Sequence, residues 1–208
     1  MTPFAYIRAA TLAEALHWLS QPDTPACALA GGTDLVVQLR AGKKQPGTVV
    51  DIKSIPELAG GITVEHGGMR IGALTTMAQL ASDAHVQCAC PALAEAAAWV
   101  GSVQIRQRAT LAGNLGNASP AADTAPPLLA HGAQLELVSL RGRRQVALNE
   151  FFLAPGKTIL THGELIAAIA IPASSFGASA FARLARRRGV DLASVSVACC
   201  LASNAAAR

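Results

Sequence analysis

Two glycine-bearing turns, Ala30-Gly31-Gly32-Thr33-Asp34-Leu35 and Thr110-Leu111-Ala112-Gly113-Asn114, lie roughly eighty residues apart, each behind a predicted strand or helix end. Small residues there leave backbone N–H groups open to an anion. One cradle of this kind holds one phosphate, and either segment taken alone is an ordinary turn. Two cradles that meet across a fold predict a diphosphate, and so a dinucleotide, held between two lobes. Whatever this chain folds into must bring the two segments together.

At 208 residues, 51% of them hydrophobic, the chain can bury a sizeable core, in one large domain or two small ones. Much of the basic excess behind the +4 net charge sits in Arg141-Gly142-Arg143-Arg144 and Arg186-Arg187-Arg188. Aromatic residues make up only 4%, so platforms for stacked bases are scarce, and these runs read as solvated turns or a subunit contact rather than a nucleic-acid surface. Cys27, Cys88, Cys90, Cys199 and Cys200 are an odd set without a regular framework, which points to a reducing compartment. Cys88-Ala89-Cys90 has no second pair or histidine at ligand spacing, so it reads as structural and no metal site is expected. No apolar run reaches the roughly twenty residues that span a bilayer, and no basic-then-apolar leader opens the chain, so a cytoplasmic location is expected.

Thr11-Leu12-Ala13-Glu14 has the form of a capping box, and Leu12, Leu16 and Leu19 recur at helical spacing, predicting a helix over 11–20. Residues 26–30 predict a strand entering the first turn, after which Leu35, Val36 and Leu39 share one helical face. Residues 48–52 predict a strand, 62–65 and 69–73 a hairpin closed by His66-Gly67-Gly68, and 76–82 a helix. Alanine-rich 91–100 predicts a helix leading to the second turn, and 123–130 another with two prolines in its first turn. Residues 134–139 and 145–148 flank Arg141-Gly142-Arg143 as a second hairpin, and 165–171, ended by Pro172, predict one more strand. Hairpins mixed with helices predict an α+β architecture rather than a doubly wound sheet. Beyond Pro172, residues 173–179 read as a connector and 181–202 as strand, basic turn and strand of another domain, which about thirty residues cannot complete.

With these motifs in place, the chain resembles the FAD-binding subunit, or medium chain, of the molybdenum hydroxylases, the group containing xanthine dehydrogenase and aerobic carbon monoxide dehydrogenase. The resemblance runs through Ala30 to Asp34, Ile105-Arg106 leading into Thr110 to Asn114, Ser119-Pro120-Ala121-Ala122-Asp123, Gly163-Glu164-Leu165-Ile166 and residues 188–198. It implies a two-lobed FAD-binding domain of the vanillyl-alcohol-oxidase-like (PCMH-type) kind over residues 1–173, followed by the truncated start of a small α+β C-terminal domain over 177–208. It also implies that Ala28, Leu29, Ala30, Gly31, Gly32, Thr33, Asp34 and Leu35 together with Thr110, Leu111, Ala112, Gly113 and Asn114 cradle the FAD diphosphate. The hydroxyls of Thr33 and Thr110 and the Asn114 amide then add donors. Asp123 falls on a family aspartate that contacts the cofactor, and serves equally well as a helix N-terminal residue. Val100 and Ile166 fall where the family packs apolar side chains on the flavin ring, although a core needs such residues too. Arg183 falls where a lysine is common.

Two departures stand out. Ala112 replaces the first of two adjacent glycines, which narrows the backbone freedom there, and Gln107 stands where asparagine is common. No cysteine lies between Asn114 and Asp123, so the iron–sulfur cluster that some relatives carry at that point is not expected. The implied function is an electron-transfer subunit. A molybdopterin-binding large subunit hydroxylates a small heterocycle, aldehyde or similar substrate, a [2Fe-2S] small subunit relays the electrons, and FAD in this chain passes them to an acceptor. His17, His66, His85, His131 and His162 are scattered over helix, hairpin and turn, and no catalytic base or triad is expected. Two rival readings remain open: a stand-alone flavin oxidase of the same fold, and a truncated interaction module or remnant without FAD, prompted by the ending Ser203 to Arg208.

Overall fold

The computed structural model describes residues 2–202 apart from Gly60, His66 and Arg188. The expected turn residue His66, the start of the 188–198 motif and the tail 203–208 lie outside the described residues.

The first lobe contains β1 (Ala5–Arg8), α1 (Leu12–Leu19), β2 (Ala26–Leu29), α2 (Leu35–Arg40) and β3 (Thr48–Asp51). Its three strands form a parallel sheet in the order β1-β3-β2, so β3 is central and all four of its residues are buried. Thr11 starts α1 by accepting from the Glu14 N–H at 3.2 Å, but the Glu14 carboxylate turns to the Ala10 N–H at 2.8 Å, so only half of the expected capping box forms. Leu12, Ala15, Leu16 and Leu19 pack with Val50 of β3. On α2 only Leu39 is buried, because this short helix begins at an open cleft and leaves Val36 exposed.

The second lobe follows with β4 (Ile62–Glu65), β5 (Gly68–Gly72), α3 (Met77–Ser82), α4 (Ala84–Ala89), α5 (Pro91–Trp99), α6 (Val103–Arg106), α7 (Leu111–Gly116), α8 (Ala125–Ala130), β6 (Gln134–Ser139), β7 (Gly142–Ala147), α9 (Leu148–Phe151), β8 (Phe152–Ala154), β9 (Lys157–Thr158) and β10 (Leu165–Pro172). Its main sheet is antiparallel, in the order β4-β5-β10-β6-β7. Central β10 is buried on both faces. Leu165 and Ala167 belong to the core shared with α1, whereas Ile166, Ile169 and Ile171 belong to the core under the helices. A register shift between Ile166 and Ala168 resets the alternation and lets Ile166 and Ile169 face the same way. The sheet is therefore a partition between two cores.

Four local expectations change. The second glycine segment is not a turn: Thr110 is the N-cap of α7, its hydroxyl oxygen accepting from the Gly113 N–H at 3.1 Å. Ala112 sits in that helix and needs no glycine freedom. In the second hairpin the strand restarts at Gly142, so Arg143 and Arg144 lie on β7 rather than in the turn. The connector is only the short helical turn Ala173–Ser175, and Gly177 already begins β11 (Gly177–Ala185), which pairs antiparallel with β12 (Ala193–Ala202). Thr124, not Asp123, is the N-cap of α8. The β11–β12 hairpin is anchored to the helices: Ala92 N–H donates to Ser179 Oγ at 3.1 Å and Phe181 N–H to the Glu95 carboxylate at 2.9 Å. Among the described residues no helix is long and apolar enough to cross a membrane.

Candidate functional site

Between the lobes lies a cleft of ≈ 850 Å³. Both glycine segments reach it. Ala28, Ala30, Gly31, Gly32, Thr33, Asp34 and Leu35 line it from the first lobe, and Val100, Thr110, Ala112, Gly113, Asn114, Asp123 and Ile166 from the second. Three expected residues do not line it. Leu29 packs beneath Gly32, its Cδ1 3.1 Å from where a Gly32 Cβ would stand, Leu111 is fully buried in the helical core, and Arg183 lies behind Asp123.

The first loop is shaped by backbone contact. Gly32 has φ 78°, a left-handed conformation that glycine adopts without strain. A side chain on Gly31 would overlap the Arg108 carbonyl oxygen and stand 2.8 Å from its carbon and 3.1 Å from Ala109 Cα. The first loop thus rests directly on the backbone entering α7. That backbone is in turn fixed by Leu111 N–H to the Thr75 carbonyl and Met77 N–H to the Ala109 carbonyl, both 2.9 Å. Gln38 of α2 also donates to Asn117 Oδ1 at 2.9 Å, closing the same seam. Among the described residues the N–H groups of Gly31, Gly32, Thr33 and Asp34 have no backbone acceptor, so they remain available to an anion. Thr124 donates to Asn114 Oδ1 at 2.7 Å, which leaves the Asn114 NH₂ as a donor at the cleft.

Asp123 presents the opposite polarity. Its Oδ2 accepts from Arg183 at 2.6 Å, whereas Oδ1 is buried and has no partner among the described residues. Burial pushes the Asp123 carboxyl above its ordinary value, and the Arg183 guanidinium pulls it back. Open amides for a diphosphate and an orphaned buried acceptor for a hydroxyl or ring N–H in one cleft fit FAD, which carries both kinds of group.

Several lining residues were not singled out from the sequence as site residues. Glu164 closes the loop before β10, where Arg144 holds its carboxyl down at about 2 and the Thr161 N–H donates to it at 2.9 Å. The signal that marked it was its place in the Gly163 to Ile166 motif. Asp191 and Leu192 reach the cleft from the β11–β12 loop. Asp191 is the only acid after Glu164, set beside the basic run, and its carboxylate accepts from Arg186 at 3.0 Å. All five cysteines are free, and among the described residues no group of three His, Cys, Asp or Glu side chains is placed to hold a metal.

Residues 2–174 match the family described as the FAD binding domain in molybdopterin dehydrogenase. The chain is 40% identical over 197 residues to the xanthine dehydrogenase FAD-binding subunit of Escherichia coli O157:H7, covering 93% of this chain and 67% of that protein. It is 36% identical to the nicotinate dehydrogenase FAD-subunit of Eubacterium barkeri, covering 92% of this chain and 66% of that one. Among solved structures, the Cu,Mo-CO dehydrogenase in its cyanide-inactivated form superposes with a TM-score of 0.88 at 32% identity, over 95% of this chain and 70% of that one. Quinoline 2-oxidoreductase from Pseudomonas putida 86 gives 0.88 at 31% identity, over 97% and 70%. The chain spans about two thirds of the length of these curated relatives.

Proposed function

Because the chain belongs to the FAD-binding domain family of the molybdopterin dehydrogenases, we propose that it holds FAD in the interlobe cleft as the electron-transfer subunit of a molybdenum hydroxylase. The observation that carries this reading is the meeting of Gly31 with Arg108, which brings the two glycine segments to one cleft that also contains the unpartnered Asp123 Oδ1. The loop from Ala28 to Leu35 and the segment from Thr110 to Asn114 hold the diphosphate. Val100 and Ile166 give the flavin ring an apolar wall, and Asp123 accepts from a donor on the cofactor. When bound, FAD supplies one- and two-electron redox chemistry, while the chain supplies position and electrostatics. Residues 1–173 form the FAD-binding domain and the β11–β12 hairpin lies outside it, a boundary supported by the end of the family match at 174. The partners are a molybdopterin-binding large subunit and a [2Fe-2S] small subunit, and the complex works in the cytoplasm, in keeping with five free thiols.

The test is reconstitution of the purified chain with FAD, gel filtration, and measurement of the flavin spectrum and flavin-to-protein ratio. Co-elution near one FAD per chain, with FMN excluded, is the expected result. A chain that folds and elutes without flavin would replace this reading with that of an interaction module.

A further inference from the structure

We infer that Arg183 is a positioning residue for the cleft and acts on the bound cofactor chiefly through Asp123, the cleft-lining side chain to which it is bonded. The inference rests on the FAD reading above and adds to it a device made by the β11–β12 hairpin. The two side chains are 4% and 8% exposed, and they come from positions 60 residues apart. The guanidinium is held by groups on three segments. Nη1 donates to Asp123 Oδ2 at 2.6 Å, Nη2 donates to the Asp191 carbonyl at 2.6 Å, the Trp99 carbonyl lies 3.5 Å from Nη1, and the guanidinium carbon sits 5.5 Å from the Trp99 ring centroid. Arg183 does not line the cleft, whereas Asp123 does.

A carboxylate is rigid and planar, so a charge-assisted bond that fixes one oxygen also fixes the direction of the other. The oxygen left over, Asp123 Oδ1, is buried without a partner. Native chains seldom leave a buried acceptor unmatched, and such an atom in a ligand-sized cleft awaits a donor brought by the ligand. On FAD that donor is a hydroxyl or the ring N–H. Arg183 is placed for this task by strand alternation, since β11 turns it inward while its neighbours Ala182 and Leu184 face out. The same guanidinium holds the loop carrying Asp191 and the end of α5 at Trp99. Three segments thereby meet behind one ligand-facing carboxylate.

The test uses the full chain and four variants: Arg183→Lys, Arg183→Gln, Asp123→Asn and the Arg183→Gln/Asp123→Asn double, with FAD affinity read by flavin-fluorescence titration and folding by circular dichroism. Arg183→Gln is expected to weaken FAD roughly tenfold or more, as loss of a charged hydrogen-bond network does. Arg183→Lys is expected to restore most of it, because an ammonium can still bond Oδ2, a rescue that packing alone would not require. In the Asp123→Asn background, Arg183→Gln is expected to change affinity by no more than about twofold, the behaviour of two groups acting as one unit. If Arg183→Gln alone does not fold, the comparison of Asp123→Asn with the charge-free double variant decides. Additive losses, or wild-type affinity in Arg183→Gln, would overturn the positioning role. Failure of the unmutated chain to take FAD would instead overturn the functional reading.

Discussion

Gly31, Gly32 and Gly113 share a residue type but not a reason. Read along the sequence, all three leave room for a phosphate. In the fold, Gly31 lets the first loop lie on the backbone at Arg108 and Ala109, Gly32 supplies a left-handed φ of 78°, and Gly113 is an ordinary helical residue whose Cβ would meet only Thr110 Oγ1 at 2.8 Å. Gly31→Ala is therefore predicted to be the most damaging alanine substitution of the three. The atoms it meets are backbone and cannot swing away, so the lobes must separate, at a cost of about 1–3 kcal/mol in apo stability and a clear loss of FAD affinity. Urea unfolding and flavin titration of the three alanine variants check this ranking. Wild-type stability in Gly31→Ala would mean that the two segments do not touch.

At the scale of elements, the docking of the hairpin on α8 depends on His131, a fully enclosed ring at the helix C-terminus. Its Nδ1 lies 2.9 Å from the Ser175 carbonyl, which can only accept, so Nδ1 carries the proton and Nε2 accepts from the Ser179 hydroxyl at 3.2 Å. The Cys200 thiol donates to the same carbonyl at 3.2 Å. Burial lowers the His131 pKa below its ordinary value, only partly offset by the Ser175 bond. The unfolded chain then binds more protons than the folded one as pH falls. His131 thus contributes stability that is fully present above the unfolded value of about 6.5 and is lost below it. The stability gap between the wild type and His131→Gln, measured by urea unfolding, is predicted to shrink from about pH 8 to about pH 5. A constant gap would show that His131 titrates alike in both states.

For the molecule as a whole, the outer face of the β11–β12 hairpin sets its behaviour in solution. In register, Ala178 lies opposite Leu201, Ala180 opposite Cys199, Ala182 opposite Val197 and Leu184 opposite Val195, an uncharged face whose larger members are 59–73% exposed. A two-stranded sheet with an apolar face, and with edges unpaired among the described residues, invites association. The chain is predicted to self-associate with rising concentration, and Val197→Lys to shift it towards monomer without altering FAD binding, because Val197 faces away from the buried Arg183. Sedimentation velocity with flavin content on both proteins is the check, and a wild type that stays monomeric throughout would contradict it.

The sequence by itself determined most elements and their order, since these are written in short-range spacing: Thr11 and Glu14 with Leu12, Leu16 and Leu19 along a helix, glycine-bearing turns closing the hairpins, Pro172 ending the last strand of the sheet. Two glycine segments in one chain pointed to a cleft between lobes. Only the tertiary structure decided what each of these residues does there. The Gly31 contact with Arg108, the Arg183 bond to Asp123, the Gln38 link to Asn117 and the shift in β10 that turns Ile166 to the cleft depend on residues distant along the chain or on partners in another strand. The second segment was misjudged for a related reason, because Thr110 to Asn114 has the composition of a turn, and its start as a helix is set where Thr75 and Met77 bond the backbone of Leu111 and Ala109. Local spacing encodes helix and strand through the geometry of neighbouring residues, but carries no signal for which distant backbone will lie within van der Waals reach.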